Sequence, residues 1–370
     1  MEYTTLGKTG LRVSRMGFGG IPIQKVDASV TRKLMERLAE RGVNYIDTAR
    51  GYTVSESFLG EALEGGLREK FVLATKSMSR TKEAMAQDIE TSLHNLRTDY
   101  IDLYQIHNPS LAELEQVAAP GGALEALLEA KAAGRIGHIG VTAHMASVFE
   151  KALTMDWVET VMFPYNIVET QGEALMQRCR EQNVGFICMK PMAGGALEDA
   201  RLALRFIRQN ENVSVVIPGM YDVREIDQNL EAMEDVSPLT EAEKAKLDAI
   251  RKELGTQFCR RCNYCQPCTA GISISGIFVL EGYLNRYGLG DWARQRYAAM
   301  GQKAGDCVGC GACEKRCPYQ LPIRQMLARC RMNLARNAFA MAAHTKENQK
   351  SRVSVGLGKA STVSFQGGNV

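Results

Sequence analysis

The feature that most constrains the fold is an alternation of strand-like and helix-like segments, repeated eight times between residues 13 and 235. Short apolar runs bounded by polar residues, glycine or proline predict strands at residues 13–18, 43–48, 71–75, 101–106, 136–142, 160–164, 185–190 and 213–217. Between them, apolar residues recur at helical spacing, as in Val30, Leu34 and Leu38. Strands that alternate with helices form parallel sheets, and eight such units predict a (β/α)₈ TIM barrel.

A doubly wound open sheet is the alternative arrangement for alternating strands and helices. Such sheets usually carry a G-x-G-x-x-G turn directly after the first strand. Here the first predicted strand ends in Gly17-Phe18-Gly19-Gly20, whose glycine spacing does not fit that motif. The barrel is therefore the favoured prediction, and we assign residues 1–236 to it.

The composition changes after the last strand–helix unit. Thr240 and Glu243 match a capping box, which predicts one further helix within a linking segment at residues 237–255. Cysteines crowd the next segment, which we predict to be a second domain at residues 256–330. Residues 331–370 hold six Lys or Arg against one Glu and have little apolar content, so we predict a basic, flexible tail there.

Charge and hydropathy argue against several classes of function. The net charge is only +3 and its basic excess lies in the tail, so we expect no nucleic-acid partner. No apolar run reaches the roughly 18 residues that a membrane span requires. The first residues also lack the apolar stretch of a signal peptide. The sequence therefore predicts a cytoplasmic protein without a membrane partner.

Cysteine spacing is the second strong signal, because eight of the eleven cysteines form two tight runs. The second run places Cys307, Cys310, Cys313 and Cys317 before Pro318, with the spacing of a bacterial [4Fe–4S] ferredoxin. The first run, Cys259, Cys262, Cys265 and Cys268, has the same triplet and a shorter last step, followed by Thr269. Structural zinc is the alternative, but zinc typically takes two ligands from each of two separated pairs. Two runs of four favour a small α-helical, ferredoxin-like domain with two [4Fe–4S] clusters.

The spacing also predicts which cysteines share a cluster. In two-cluster ferredoxins the fourth cysteine of a run ligates the other cluster. We therefore expect Cys317 to join the first three cysteines of the first run, and Cys268 to join the first three of the second. Gly309 and Gly311 would let the backbone approach the cluster sulfides. The remaining cysteines lie in apolar or helical patterns and are expected to be inert core thiols: Cys179, Cys188 and Cys330.

Proton-handling side chains stand where three successive predicted strands end: Asp47 and Tyr52, Lys76, and His107. Chemistry in a barrel of this kind lies at the carboxyl ends of the strands. Each residue alone could be an ordinary cap, rim aromatic, surface charge or hydrogen-bonded histidine. As a group they can move a proton, because Lys76 can stabilise a Tyr52 phenolate and Asp47 can pair with Lys76. His107 can then orient a substrate oxygen.

At these residues the sequence resembles the aldo-keto reductase family. The matching segments are NYIDTARGY (44–52), SESFLGEAL (55–63), VLATKS (72–77) and DLYQIH (102–107), and the similarity continues to about residue 235. The cysteine region, with CRRCNYCQPC and GISISGIF, resembles the C-terminal extension of an iron–sulfur branch of the family.

The resemblance implies an oxidoreductase that interconverts a carbonyl and an alcohol. Tyr52 would be the general acid and Lys76 the modifier of its pKa. Asp47 would be the supporting carboxylate and His107 the orienting residue. The resemblance also implies NAD(P)H as cofactor, lined by Gly20, Ile21, Asn166, Pro191, Met192, Gly194, Gly195, Pro218 and Gly219.

The sequence departs from the family where the nicotinamide is usually held. Family members usually place an Asn, a Gln and a stacking Tyr there, and the corresponding residues here are Ala143, Met162 and Met189. A Lys or Arg commonly meets the 2′-phosphate of NADP, but the corresponding positions here hold Gly219 and Glu225, with Asp222 and Arg224 beside them. We therefore expect NADH to be favoured over NADPH, with modest affinity. Lys190, which ends the seventh strand, either meets an anionic substrate or phosphate at the mouth or forms an outward salt bridge.

Two alternative functions remain open beside a nicotinamide-dependent reductase of a small carbonyl or alcohol substrate. Clusters pass single electrons and nicotinamides pass hydride, so a flavin or a partner flavoprotein would normally connect them. The first alternative is a reductase fed by its clusters and a redox protein partner, without direct use of a nicotinamide. The second is an electron-transfer subunit whose barrel has lost turnover, against which the four intact proton-handling residues argue.

Overall fold

The computed structural model describes residues 1–254, 258–261, 263–285, 287–317 and 319–335. Cys262, Pro318 and nearly all of the predicted basic tail lie outside the described residues. The chain divides into two compact units. The first comprises Met1–Gln266 with Ala312–Pro322, and the second comprises Pro267–Gly311 with the described residues from Ile323 onward.

Eight parallel strands form the centre of the first unit, as the alternating pattern predicts. With a separate two-stranded hairpin, the described residues form ten strands, which in chain order are β1 (Tyr3–Thr5), β2 (Arg12–Ser14), β3 (Phe18–Gly19), β4 (Tyr45–Asp47), β5 (Val72–Ser77), β6 (Ile101–His107), β7 (Ile136–Thr142), β8 (Thr160–Pro164), β9 (Gly185–Met189) and β10 (Val215–Val216). Strands β3 to β10 pair in chain order. Bridges from Met16 to Val216 and from Gly19 to Gly219 join the first strand of this sheet to the last. The sheet is therefore a (β/α)₈ barrel.

The first predicted strand is wrong in its extent. Residues 13–18 do not form one strand, because β2 pairs antiparallel with β1 and the barrel begins only at β3. The Ser14 hydroxyl donates to the Met16 carbonyl at 2.6 Å, and the Asn44 side chain accepts from the Ser14 N–H at 2.7 Å. These side-chain bonds separate two short strands. The β1–β2 hairpin instead contributes Leu6 and Val13 to the barrel interior.

Helices follow the strands of the first unit, and the second unit contains further helices. They are α1 (Ala28–Glu40), α2 (Ser55–Ala62), α3 (Lys82–Asn95), α4 (Leu111–Ala118), α5 (Ala123–Ala132), α6 (Ala146–Ala152), α7 (Glu173–Glu181), α8 (Ala200–Arg208), α9 (Val223–Glu234), α10 (Glu241–Leu254), α11 (Ile274–Asn285), α12 (Gly290–Ala298), α13 (Ala312–Arg316) and α14 (Ile323–Leu334). The capping box expected before α10 is present: the Thr240 N–H donates to the Glu243 carboxylate at 2.8 Å. Leu247 of α10 is buried in a cluster with Ile167 and Leu202.

The second unit is helical. The ring centroids of Tyr283 in α11 and Trp292 in α12 lie 4.6 Å apart. Arg329 of α14 donates to the carboxylate of Glu281 in α11 at 2.8 Å. Within the described residues, no helix is both long and apolar enough to cross a membrane.

Candidate active site

Three polar side chains share one layer inside the barrel. Alternate residues of a strand point to the same face, and the parallel pairing sets Lys76 of β5 beside Gln105 of β6. Lys76 donates to the Asp47 carboxylate and to the Thr48 carbonyl, the latter at 2.8 Å. Gln105 donates to the other Asp47 oxygen at 3.2 Å. The layer therefore holds a hydrogen-bonded ion pair.

This ion pair is almost completely withdrawn from water, since Asp47 is 2% and Lys76 1% exposed. Burial raises the pKa of Asp47, and the Lys76 ammonium opposes that rise. Burial likewise lowers the pKa of Lys76, against the pull of Asp47. Each charge is tolerated inside the barrel because the other one is there.

Tyr52 and His107 complete the group of four predicted residues. The Lys76 Nζ lies 4.9 Å from the centroid of the Tyr52 ring. The Tyr52 and His107 rings meet edge to face, with centroids 6.0 Å apart and planes at 86°. The structure thus brings together all four residues that the strand ends predict.

The surroundings of His107 disfavour its protonated form. Burial lowers its pKa well below the usual value, and the positive charges of Lys76, Arg80 and Lys190 lower it further. Arg80 also donates to the His107 carbonyl at 2.9 Å. The His107 Nδ1 is buried and has no hydrogen-bond partner in the part of the chain that the structure describes.

Lys190 directly follows β9, and its carbonyl accepts from the Asn166 side chain in the loop after β8 at 2.9 Å. Its backbone has a φ of 56°, in the left-handed region. Both alternatives for the Lys190 side chain, contact with an anion at the mouth and an outward salt bridge, stay predictions.

Sequence reasoning missed His144 and Arg261. His144 follows β7 by two residues, so the same strand-end rule that selects His107 could have found it. Arg261 lies within the first cysteine run and carries no comparable signal. The structure pairs Arg261 with Glu169, a fully buried carboxylate in the loop after β8.

Two of the predicted cofactor-lining glycines are required by the packing of the chain itself. A Cβ on Gly20 would lie 2.9 Å from both the Asp47 carbonyl oxygen and the Ser55 hydroxyl. A Cβ on Gly219 would lie 2.7 Å from the Pro22 ring. Close packing within the chain thus accounts for both glycines without a ligand.

The other predicted lining residues occupy the loops after β3, β8, β9 and β10. Gly194 and Gly195 have φ values of 68° and 81°, which favour glycine. Of the remainder, Ile21 precedes a 3₁₀ turn, Pro191 and Pro218 are buried, and Met192 packs against the apolar cluster under α10.

The Asn166 side chain is fully engaged within its own loop. Its Nδ2 donates to Glu169 and to the Lys190 carbonyl, both at 2.9 Å. Its Oδ1 accepts from the N–H groups of Val168 and Glu169 at 3.1 and 3.0 Å. Asn166 can therefore line a cofactor through van der Waals contact but has no hydrogen bond left for it.

The altered nicotinamide positions are apolar and buried. Ala143, Met162 and Met189 are 0%, 1% and 8% exposed. Met162 and Met189 belong to the barrel interior with Ile187 and Val215. The side chains at these positions cannot reproduce the hydrogen bonds that the family resemblance implies, so the nicotinamide contacts fit only in part.

Charged residues at the start of α9 cap that helix. The Glu225 carboxylate accepts from the N–H groups of Tyr221 and Asp222 at 2.8 and 3.1 Å. Asp222 accepts from the Arg224 N–H at 2.9 Å and pairs with the Arg224 guanidinium, which lowers the pKa of Asp222 to about 2. The only cation of this segment is thus already paired.

The two cysteine runs have matching backbone conformations. Gly309 and Gly311 of the second run have φ values of 72° and 70°. The corresponding residues of the first run, Arg261 and Asn263, have φ values of 58° and 62°. Both runs are thus left-handed at the same two positions after their first cysteine, although only the second uses glycine. Thiols presented on two like loops are donors suited to [4Fe–4S] clusters.

Contacts within each unit relate the last cysteine of one run to the other run. Arg316, which precedes Cys317, donates to the Cys265 carbonyl at 3.0 Å. Thr269, which follows Cys268, has its hydroxyl 3.2 Å from the Cys310 sulfur. Among the described residues, no group of three or more His, Cys, Asp or Glu is arranged to hold a single metal ion.

The three other cysteines are core residues. Cys179, Cys188 and Cys330 are each 0% exposed. Burial raises the pKa of Cys179 to about 12 and raises those of the other two as well. A thiol held in its protonated form is a poor nucleophile and metal ligand.

Comparison with known proteins identifies two regions of the chain. Residues 15–201, just over half of the chain, match the aldo/keto reductase family. Residues 258–322 match the 4Fe-4S dicluster domain.

Relatives with curated names include an L-galactose dehydrogenase of Arabidopsis thaliana, 26% identical over 293 residues, which cover 65% of this chain and 90% of that protein. The aldo-keto reductase YhdN of Bacillus subtilis is 29% identical over 224 residues, covering 54% of this chain and 66% of the relative. Among solved structures, the holo form of aldo-keto reductase AKR11C1 from Bacillus halodurans is 26% identical with a TM-score of 0.59, covering 68% of this chain and 96% of that one.

Proposed function

The chain belongs to the aldo/keto reductase family of oxidoreductases and carries a 4Fe-4S dicluster domain, and from that premise we propose that it interconverts a carbonyl and an alcohol on a small substrate. The observation that carries this proposal is the contact sequence Asp47–Lys76–Tyr52–His107 at the mouth of the barrel. These groups can supply the proton that carbonyl reduction requires and can stabilise the Tyr52 phenolate that remains.

In reduction, the Tyr52 hydroxyl gives its proton to the carbonyl oxygen. A free tyrosine has a pKa of about 10, so it is a weak acid near neutral pH unless its phenolate is stabilised. The Lys76 ammonium beside the Tyr52 ring supplies that stabilisation. Asp47 fixes the ammonium in position and keeps it charged.

His107 orients the carbonyl. Because burial keeps its ring neutral, His107 can donate one hydrogen bond to the substrate oxygen without competing with Tyr52 as an acid. The same bond to the alcohol oxygen serves the reverse direction.

Reduction of a carbonyl also needs two electrons, for which we propose NADH. A bound nicotinamide would supply them as hydride to the carbonyl carbon. The loops that hold Gly20, Gly194, Gly195 and Gly219 would line it, with Ile21, Asn166, Pro191, Met192 and Pro218 in apolar contact. The paired Arg224 favours NADH over NADPH.

A second candidate route delivers the electrons through the iron–sulfur domain from a redox protein partner. Two observations favour keeping it: the buried Ala143, Met162 and Met189 weaken the nicotinamide site, and the first cysteine run is bonded to the barrel. In that contact Arg260 donates to the carbonyl of Val168, in the loop after β8, at 2.9 Å. We propose two [4Fe–4S] clusters with the crossed ligand sets expected from the spacing.

Substitution of Tyr52 by phenylalanine tests the proposed chemistry. We expect Tyr52→Phe to keep its fold and iron content and to lose about 10²-fold or more in turnover, because the general acid is removed. Tyr3→Phe is the matched control, since the Tyr3 hydroxyl bonds the Gly42 carbonyl in the N-terminal region. Near-wild-type turnover of Tyr52→Phe would reject the assignment.

Spectra of the anaerobic protein with NADH, with NADPH and with neither distinguish the two electron routes. If dithionite bleaches the cluster absorbance but neither nucleotide binds or bleaches it, the partner-fed route is favoured. Binding of NADH and turnover with it would favour direct hydride transfer.

A further inference from the structure

Three buried nitrogen atoms at the mouth of the barrel have no hydrogen-bond partner among the residues that the structure describes. They are Nδ1 of His107 at the end of β6, Nδ1 of His144 after β7, and Nε of Arg261. Arg261 is held against the loop after β8 by its ion pair with Glu169. Buried polar groups are nearly always hydrogen-bonded in folded proteins. Three of them beside consecutive strands of one site therefore point to a ligand.

The surroundings of His144 are positively charged. Besides burial, the groups that lower its pKa are Lys190, Arg261, His107 and Lys76. Glu169 neutralises Arg261 and Asp47 neutralises Lys76, so the excess of positive charge is small. Such a site suits a singly charged carboxylate better than a phosphate dianion.

The backbone conformation of Arg261 is a separate argument that its side chain has a function. Arg261 has a φ of 58°, in a region that costs free energy for any residue with a Cβ. The corresponding residue of the second cysteine run is Gly309, which adopts the same region without that cost. Glycine at position 261 would adopt this conformation without that cost, yet the chain has an arginine there, and it is only 9% exposed.

We propose that His144 and Arg261, with Lys190 beside them, bind a carboxylate group of the substrate next to His107. The inference rests on the proposed function, in which Tyr52 and His107 hold the carbonyl of the same molecule. It makes the substrate a carbonyl acid, or the corresponding hydroxy acid. It also makes a residue of the first cysteine run part of the substrate site, within the unit Met1–Gln266.

The test compares two ligands of the same shape and different charge, 4-carboxybenzaldehyde and its amide 4-carbamoylbenzaldehyde. Calorimetric titration of the anaerobic full-length protein should show tighter binding of the carboxylate by about tenfold or more. His144→Asn and Arg261→Gln should each reduce that preference. Arg260→Gln should retain it, because the guanidinium of this neighbouring arginine donates to the Val168 carbonyl instead. Equal binding of the two ligands to the wild type would overturn the proposal.

A second variant protects the test against misfolding. Arg261→Gln leaves the buried Glu169 unpaired, so Arg261→Gln/Glu169→Gln removes both charges together. We expect it to keep wild-type iron content and to lose the carboxylate preference. An unchanged preference in this double variant would contradict the role of Arg261.

Two further measurements separate the neighbouring explanations. Inorganic pyrophosphate should bind more weakly than 4-carboxybenzaldehyde, and tighter binding that depends on Arg261 would assign the site to a cofactor phosphate instead. Tyr52→Phe should keep the carboxylate preference while losing turnover. Failure of turnover with every aldehyde, with the preference intact, would reject the proposed function and leave the carboxylate site standing.

Discussion

At the scale of single residues, the buried pair of Asp47 and Lys76 is the feature on which stability and chemistry both depend. Two charges inside a barrel are stable only while each compensates the other. Glu169 and Arg261 repeat this arrangement at the mouth. The site thus keeps its cations in place with buried carboxylates rather than with solvent.

Removal of the Asp47 carboxylate should therefore lower both the stability of the fold and the rate of the reaction. We expect Asp47→Asn to lower the free energy of unfolding by about 3–5 kcal/mol, since it leaves a buried ammonium unpaired. The pKa of Lys76 should fall further, which moves the alkaline limb of the rate profile to lower pH. Asp227→Asn, at a partly exposed cluster with Arg37 and Arg41, should cost less than about 1 kcal/mol. Denaturant unfolding and pH–rate profiles measure these effects, and equal losses in the two variants would contradict the role of Asp47.

The two mouth histidines predict a dependence of stability on pH. Burial holds the pKa values of His107 and His144 well below the usual value of 6.5. Below about pH 6.5 both histidines bind protons in the unfolded chain but stay unprotonated in the folded protein. The free energy of unfolding therefore falls as the pH drops below about 6.5. Each histidine adds a slope of up to about 1.4 kcal/mol per pH unit.

Unfolding of the wild type and of His107→Gln/His144→Gln from about pH 7 to pH 5 measures that slope. The double variant should be flatter than the wild type, and His94→Gln, on the exposed end of α3, should not be. Parallel curves for the wild type and the double variant would show that folding does not lower the pKa of either histidine.

At the scale of elements, the start of α9 bears on the choice between NADH and NADPH. The capping box of Asp222 and Glu225 uses its carboxylates on backbone N–H groups and on Arg224. A 2′-phosphate brought to this turn meets two carboxylates and one cation that is already paired, so NADH should bind more tightly than NADPH.

Asp222→Ser/Glu225→Gln keeps the capping hydrogen bonds and removes both negative charges. We expect this variant to gain affinity for NADPH severalfold and to leave the affinity for NADH unchanged, because only the former carries the added phosphate. Fluorescence titration of the anaerobic protein measures both. Tighter NADPH binding by the wild type would contradict the charge argument.

At the scale of the whole molecule, two clusters predict about eight iron atoms per chain, with a broad absorbance that dithionite bleaches. Pairs of substitutions test the crossed ligand sets. Cys259→Ala/Cys317→Ala should damage one cluster and keep about four irons, since both cysteines serve the same cluster. Cys259→Ala/Cys268→Ala should damage both. The reverse pattern of iron content would show that each run holds its own cluster.

The sequence by itself determined the features that are encoded locally. Apolar periodicity sufficed for the (β/α)₈ barrel, because it depends on neighbours along the chain. The positions of Asp47 and Lys76 at the ends of successive predicted strands then sufficed to place them at the same end of the barrel. The spacing of the cysteines sufficed in the same way for the 4Fe-4S dicluster domain.

Only the tertiary structure decided the contacts between segments that are distant along the chain. Ser14 and Asn44 meet across the chain and divide the first predicted strand, which no local pattern could indicate. The loop after β8 consumes every hydrogen bond of Asn166. Arg261 reaches the barrel mouth because a buried Glu169 neutralises it there, and the free energy of that pairing exists only once the chain has folded.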